Sequence, residues 1–161
     1  MVKVLFVCLG NICRSPMAEA MFRDLVKREG LEHIITVDSA GTGDWHVGKP
    51  PHQGTQDILN QHQISFEGQV ARQLVTTDLN DFDYIVAMDT QNEKNIHKLT
   101  SLHTSTKIVK LLDYVPEADK LDVPDPYFTG NFQEVFDLLK VGCERLLKEI
   151  QTNENASREG K

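Results

Sequence analysis

The chain has 161 residues and a mass of 18.2 kDa, with 40% hydrophobic and 25% charged residues, the size and balance of one soluble globular domain and not of a fibrous or disordered chain. A net charge of -7 and a pI near 5.3, without long Lys/Arg runs, argue against nucleic acid as substrate or partner, because a phosphate backbone is bound by clustered cations. Three cysteines without framework spacing imply a reducing, cytoplasmic setting, the Cys and His residues lack zinc spacing, and the N-terminal apolar run is too short to span a membrane.

Residues 2–7 are rich in Val, Leu and Phe, as a buried parallel strand requires, and Pro16 suits the first turn of a helix. The stretch between them, Cys8-Leu9-Gly10-Asn11-Ile12-Cys13-Arg14-Ser15, therefore opens onto a helix N-terminus. Successive backbone N–H groups in such a loop can converge on one anion, and the helix dipole adds partial positive charge there. Cys8 stands at the mouth of this cradle, where inward N–H groups, the dipole and Arg14 favour a thiolate. Arg14 offers a planar fork that matches two phosphate oxygens and still matches them as the phosphoryl group flattens.

The run from Val7 to Pro16 resembles the signature loop of the low-molecular-weight protein tyrosine phosphatases, and chain length and later motifs extend the resemblance over nearly the whole sequence. It implies that Cys8 is the nucleophile, Arg14 the phosphate clamp and Ser15 the hydroxyl supporting the thiolate, with Leu9, Gly10, Asn11, Ile12 and Cys13 completing the phosphate-binding loop. It also implies phosphotyrosine-containing proteins or peptides as partners, no cofactor, no metal, no nucleic acid, no membrane, and a monomer or weak dimer.

After the loop, Ala18, Met21, Phe22, Leu25 and Val26 form a helical stripe expected to run to about Glu29, where Gly30 ends it. A second strand over residues 34–38 leads into Ser39-Ala40-Gly41-Thr42-Gly43, whose small residues suggest close backbone approach to the first loop. By resemblance Ser39 hydrogen-bonds Asn11 and holds the cradle open. Gly43-x4-Gly48-Lys49 has nucleotide-binding spacing, but Pro50 stands where a Mg²⁺-binding hydroxyl is needed, so nucleotide binding is rejected. Trp45 lies in this loop, and the resemblance makes it a wall of the site entrance.

A helix over residues 53–61, a short helical turn near 77–81 and a strand over 84–87 follow. Asp89 reads as the cap of the next helix, a structural role. In the resembled family some relatives carry a histidine before this region that ties the site network together, where this chain has Glu67, Gly68 and Gln69. A fourth strand over 107–111 leads to Val123-Pro124-Asp125-Pro126-Tyr127-Phe128. The flanking prolines imply a stiff, non-helical loop that holds the Asp125 carboxylate. By resemblance Asp125 is the general acid and base, Tyr127 walls the pocket with Leu9, Ile12, Trp45 and Phe128, and Phe128 replaces a tyrosine common among relatives.

The last helix is expected over 131–150, with Cys143 a core thiol on its buried stripe, and residues 152–161 as a flexible polar tail after a phosphatase domain of residues 1–151. Strands alternating with helices argue for one three-layer α/β domain, a parallel sheet with helices on both faces; the order 2-1-3-4 for its four strands is what the resemblance implies. The expected reaction is metal-independent hydrolysis of phosphotyrosine and small aryl phosphates through a phosphocysteine. The alternatives are a protein-arginine phosphatase, a thiol-dependent arsenate reductase of the same fold, and a phosphotyrosine-binding module without catalysis. Cys8 and Cys13 share a tight loop, which suggests either a reversible, protective disulfide or, for Cys13, a small residue packed behind the loop.

Overall fold

The computed structural model describes residues 1–100 and 104–159, with side chains described through residue 154. The first strand, β1 (Val2–Cys8), is buried along its whole length except at Lys3, as its apolar composition requires. Its side chains alternate between two cores. Val4, Phe6 and Cys8 pack with Met17, Phe22 and Leu139 on one face, while Leu5 and Val7 pack with Leu79, Ile85 and Ile96 on the other. Phe6 and Phe22 meet edge to face at 5.6 Å, each contributing about 1.5–3 kcal/mol by burial.

Around β1 the sheet is wholly parallel, in the order β2-β1-β3-β4, with β2 (Ile35–Gly41), β3 (Tyr84–Ala87) and β4 (Lys107–Lys110). Register runs from Val2 opposite Ile35 to Cys8 opposite Gly41 on one side, and from Val4 opposite Tyr84 on the other. The chain leaves β1 toward β2 and later returns to its other side, so the loop after β1 sits where the strand order reverses, at the carboxyl edge of the sheet.

Helix α1 (Arg14–Arg28) begins two residues before Pro16, which occupies its third position and still lies in the first turn, where no N–H partner is lost. It ends in a Schellman arrangement: Gly30 takes φ +70°, Leu31 N–H donates to the Val26 carbonyl at 2.9 Å, and Gly30 N–H to Lys27 at 3.0 Å. Helix α2 (Gln53–Gln61) is capped by His52, and α3 (Asp78–Asp81) and α4 (Thr90–Leu99) flank β3. The strand expected to reach Leu111 ends at Lys110, and a 3-10 turn covers Leu111–Tyr114.

Two expectations are corrected. The segment after Asp125 is not an irregular stiff loop but a short helix, α5 (Pro126–Thr129), because an Asp N-cap followed by Pro at the first position favours helix entry. The final helix, α6 (Phe132–Glu159), continues past Ile150 through most of the segment read as a tail. There the Asn153 amide donates to the Tyr84 hydroxyl at 2.8 Å, and the Thr152 hydroxyl donates back to the Lys148 carbonyl. Residues 160–161 of that segment lie outside the described residues. Cys143 is 2% exposed on the buried stripe of α6. Among the described residues no helix is long and apolar enough to cross a membrane.

Candidate active site

The end of β1 delivers Cys8 to the start of a loop that closes on α1, so the thiol faces the first turn of that helix. Asn11 N–H donates to Cys8 Sγ at 3.3 Å, and Ser15 Oγ lies 3.0 Å from the same sulfur. The loop turns through Asn11 at φ +57°, a left-handed conformation that Asn tolerates better than most residues.

Asn11 then uses every polar atom of its side chain. Its amide nitrogen donates to Ser15 Oγ at 2.8 Å and to Ser39 Oγ at 2.9 Å, while its oxygen accepts from the Arg72 main-chain N–H at 3.0 Å. Accepting one hydrogen bond from Asn11, the Ser15 hydroxyl keeps its proton to donate toward Cys8. Ser39 in turn donates to Glu19 at 2.6 Å, and Glu19, a carboxylate only 5% exposed, pairs with Arg23.

The close approach expected of the small residues in β2 is present. A Cβ on Gly41 would stand 2.9 Å from the Leu9 carbonyl and 3.1 Å from the Asn11 nitrogen. Thr42 N–H donates to the Cys8 carbonyl and Gly43 N–H to the Leu9 carbonyl, both at 2.9 Å.

Arg14 is 2% exposed, and its Nη1 is held by Asp89 Oδ2 at 2.7 Å and by the Val123 carbonyl at 2.9 Å. Its Nη2 reaches Asp125 Oδ2 at only 3.4 Å, and its Nε is buried without a partner among the described residues. Burial opposes the guanidinium charge, but Cys8, Asp89 and Asp125 outweigh it and raise the pKa above its ordinary value. Asp89 caps α4 as expected, accepting from Asn92 N–H at 2.7 Å, and also grips Arg14, a contact the sequence reading did not contain.

A pocket of about 110 Å³ is lined by the loop residues Cys8, Leu9, Gly10, Ile12 and Cys13 together with Trp45, His46, Asp125, Tyr127 and Phe128. Trp45, Tyr127 and Phe128 are 65%, 55% and 76% exposed, an aromatic rim standing in solvent around the opening. Asp125 caps α5 through the Tyr127 N–H at 3.1 Å and presents its other oxygen toward Arg14. Burial, Cys8 and Asp125 push the Cys13 thiol up to about 12 against the opposing effect of Arg14, so it is neutral at physiological pH. A cavity of about 450 Å³ lies elsewhere, between α1, the end of α2 and α6.

Every residue expected in the site lies in this constellation. Beside Glu67 and Gly68, the Gln69 amide is buried with neither atom partnered among the described residues, and Asn11 is braced by the Arg72 main chain. Residues absent from the sequence reading are His46, whose ring packs on Gly10 and faces Tyr127, and the bracing set of Glu19, Asp89 and Arg72. A signal existed for Glu19, an acid beside the apolar stripe of α1 and four residues before Arg23. Among the described residues no group of three or more His, Cys, Asp or Glu is placed to hold a metal ion.

The family model for low molecular weight phosphotyrosine protein phosphatase matches residues 3–156. The chain belongs to that family. It is 58% identical to the low molecular weight protein-tyrosine-phosphatase YfkJ of Bacillus subtilis strain 168 over 151 residues, covering 94% of this chain and 97% of that protein. The crystal structure of YfkJ superposes with a TM-score of 0.92 at 57% identity, covering 95% and 96% of the two chains. PtpA of Staphylococcus aureus is 48% identical over 155 residues, 96% of this chain and 97% of that one. A Drosophila arginine phosphatase structure also matches, with a TM-score of 0.87 and 36% identity over 92% of this chain and 98% of that one. The Cys8 loop of the phosphatase is thus set in the fold its relatives share.

Proposed function

We propose that this phosphatase hydrolyses phosphotyrosine in proteins and peptides, together with small aryl phosphates, through a phosphocysteine intermediate on Cys8. The observation that carries the reading is one convergence. Cys8 and Asp125 line a single pocket with apolar and aromatic walls, and buried Arg14 reaches the Asp125 carboxylate through Nη2. A phosphate in the loop supplies the acceptor that Nε lacks.

In the first step Sγ attacks phosphorus as the bond to the phenolic oxygen breaks, and Asp125 gives its proton to that oxygen. In the second, water attacks phosphorus, Asp125 takes the water proton, the S–P bond breaks, and the thiolate and inorganic phosphate are released. Ser15 and the Asn11 N–H stabilise the sulfur as leaving group, and Arg14 with the N–H groups of the Cys8–Ser15 loop holds the equatorial oxygens. The Asp89 carboxylate and the Val123 carbonyl hold the Arg14 fork in one plane throughout. Leu9, Ile12, Trp45, Tyr127 and Phe128 sandwich the aryl ring.

The similarity to an arginine phosphatase supports a second reading, phosphoarginine as substrate. Ile12 in the pocket wall favours the flat apolar ring over a guanidinium. Initial rates on phosphotyrosine, phosphoserine and phosphoarginine peptides measured together decide between them, with phosphotyrosine expected to lead. Cys8→Ser is expected to abolish turnover of p-nitrophenyl phosphate and keep phosphate binding; normal turnover by that variant removes the nucleophile assignment. The proposal extends to a cytoplasmic, reducing location, which keeps Cys8 nucleophilic, and to reversible capture of oxidised Cys8 by the neighbouring Cys13.

A further inference from the structure

Lys110, at the end of β4, is a cation with a side chain only 13% exposed, and a buried ammonium needs a fixed partner. That partner is Asp122, whose Oδ1 accepts from Lys110 Nζ at 3.2 Å. The same oxygen accepts from the Thr90 N–H at 3.0 Å and from the Thr90 hydroxyl at 2.8 Å, while Lys110 also donates to the Thr90 hydroxyl at 3.0 Å. Thr90 is the first residue of α4, so Asp122 satisfies an open N–H there from another segment of the chain.

The consequence falls on the next three residues. Val123 N–H donates to the Met88 carbonyl at 2.9 Å, its carbonyl accepts from Arg14 Nη1, and two positions on Asp125 faces Arg14 Nη2. The α4 N-terminus thereby carries both Asp89, which grips Arg14, and the tie to Asp122, three residues before Asp125. Among the described residues no other side chain of residues 115–124 makes a hydrogen bond to α4 or β4. Asp122 is 44% exposed, so its effect is one of geometry, because solvent screens the charge pairing.

We propose that Asp122, anchored by Thr90 and Lys110, is a positioning residue that holds Asp125 at proton-transfer distance from the leaving oxygen. The inference rests on the general-acid reading of Asp125. A general acid accelerates in proportion to how badly the leaving group needs a proton, so a misplaced Asp125 slows poor leaving groups selectively. A fault in the fold or in the phosphate cradle slows all of them alike.

The test is kcat/KM, which reports the first chemical step, over a series of aryl phosphates from phenyl to p-nitrophenyl, for wild type, Asp122→Ala, Asp122→Asn and Asp125→Ala. Asp122→Ala is expected to lose about tenfold on phenyl phosphate and less than about twofold on p-nitrophenyl phosphate, with the inhibition constant of inorganic phosphate unchanged. Asp122→Asn, which keeps the acceptor oxygen for Thr90, is expected to recover to within about twofold of wild type. If Asp122→Ala is too poorly folded to turn over p-nitrophenyl phosphate, Lys110→Met carries the test and is expected to show the same selectivity. Uniform loss across the series in the Asp122 or Lys110 variant, with Asp125→Ala still selective, overturns the positioning role alone. Uniform loss in Asp125→Ala as well removes the general acid itself, and the positioning proposal with it.

Discussion

Asp89→Ala is the perturbation with the most to disclose, because Asp89 performs two tasks with two oxygens. Oδ1 caps α4 through Asn92 N–H, and Oδ2 holds Nη1 of an arginine that is 2% exposed. Losing the cap costs about 1 kcal/mol, and losing a charge-assisted hydrogen bond to a buried partner costs about 1.5–3 kcal/mol, so the alanine variant should lose about 2.5–4 kcal/mol of the 5–15 kcal/mol typical of a domain. Asp89→Asn keeps a capping oxygen but turns no charge toward Arg14, so it should be more stable than the alanine variant by about 1 kcal/mol. Both release Nη1, leaving the Val123 carbonyl as its sole partner, so the fork tilts and kcat on p-nitrophenyl phosphate should fall by about 10–100-fold in each. Urea unfolding and steady-state kinetics on the two variants separate the tasks. An asparagine variant with wild-type kcat refutes the claim that Asp89 orients Arg14, and an alanine variant within 0.5 kcal/mol of wild type, as a neutral surface change would be, refutes the capping arithmetic.

Gly41→Ala places a Cβ against the Leu9 carbonyl and the Asn11 nitrogen, backbone atoms that cannot swing aside; a loss of about 1–3 kcal/mol in thermal unfolding and a drop in kcat are expected. Ser39→Ala strips Glu19 of its hydroxyl donor and leaves the Asn11 amide with a single acceptor, for a loss of about 1–3 kcal/mol by urea unfolding with reduced turnover. Phe128→Ala, at a residue 76% exposed, should leave stability within about 0.5 kcal/mol and raise KM for phosphotyrosine peptides. Stability should also fall at alkaline pH. The Cys13 thiol is raised from 9.0 to about 12, so above pH 9 the unfolded chain releases a proton that the folded chain keeps, and stability drops by about 1.4 kcal/mol per pH unit up to pH 12. Burial raises Cys143 and Tyr114 as well, the latter helped by Glu149, which steepens the fall; denaturant midpoints measured from pH 7 to 11 check the slope.

What could be read from the chain before its fold was known follows from the range of the interactions concerned. The cradle is local: strand end, Cys8, the left-handed Asn11, Arg14 and the helix start occupy consecutive positions, so backbone propensity and chemistry point to one arrangement. The sheet was legible for the same reason, since β1 carries its burial in its own composition. The bracing of the cradle is not local. Asn11 is held from Ser39 and Arg72, and Arg14 from Asp89 and Val123, pairs that touch because β1 lies at the centre of the sheet with β2 and β3 on either side. Asp89 shows where reading by segment stops: its cap on α4 is visible from four consecutive residues, whereas its grip on Arg14 exists because β3 ends beside β1. Asp125 shows the opposite case, in which one local rule acts in two directions. Proline after aspartate forbids a preceding helix but favours a following one, and the short α5 that results aims one oxygen of Asp125 down its own axis and leaves the other for Arg14. The phosphate cradle was therefore written in one loop, and its bracing is supplied by the parallel sheet that brings Ser39, Arg72, Asp89 and Val123 to that loop.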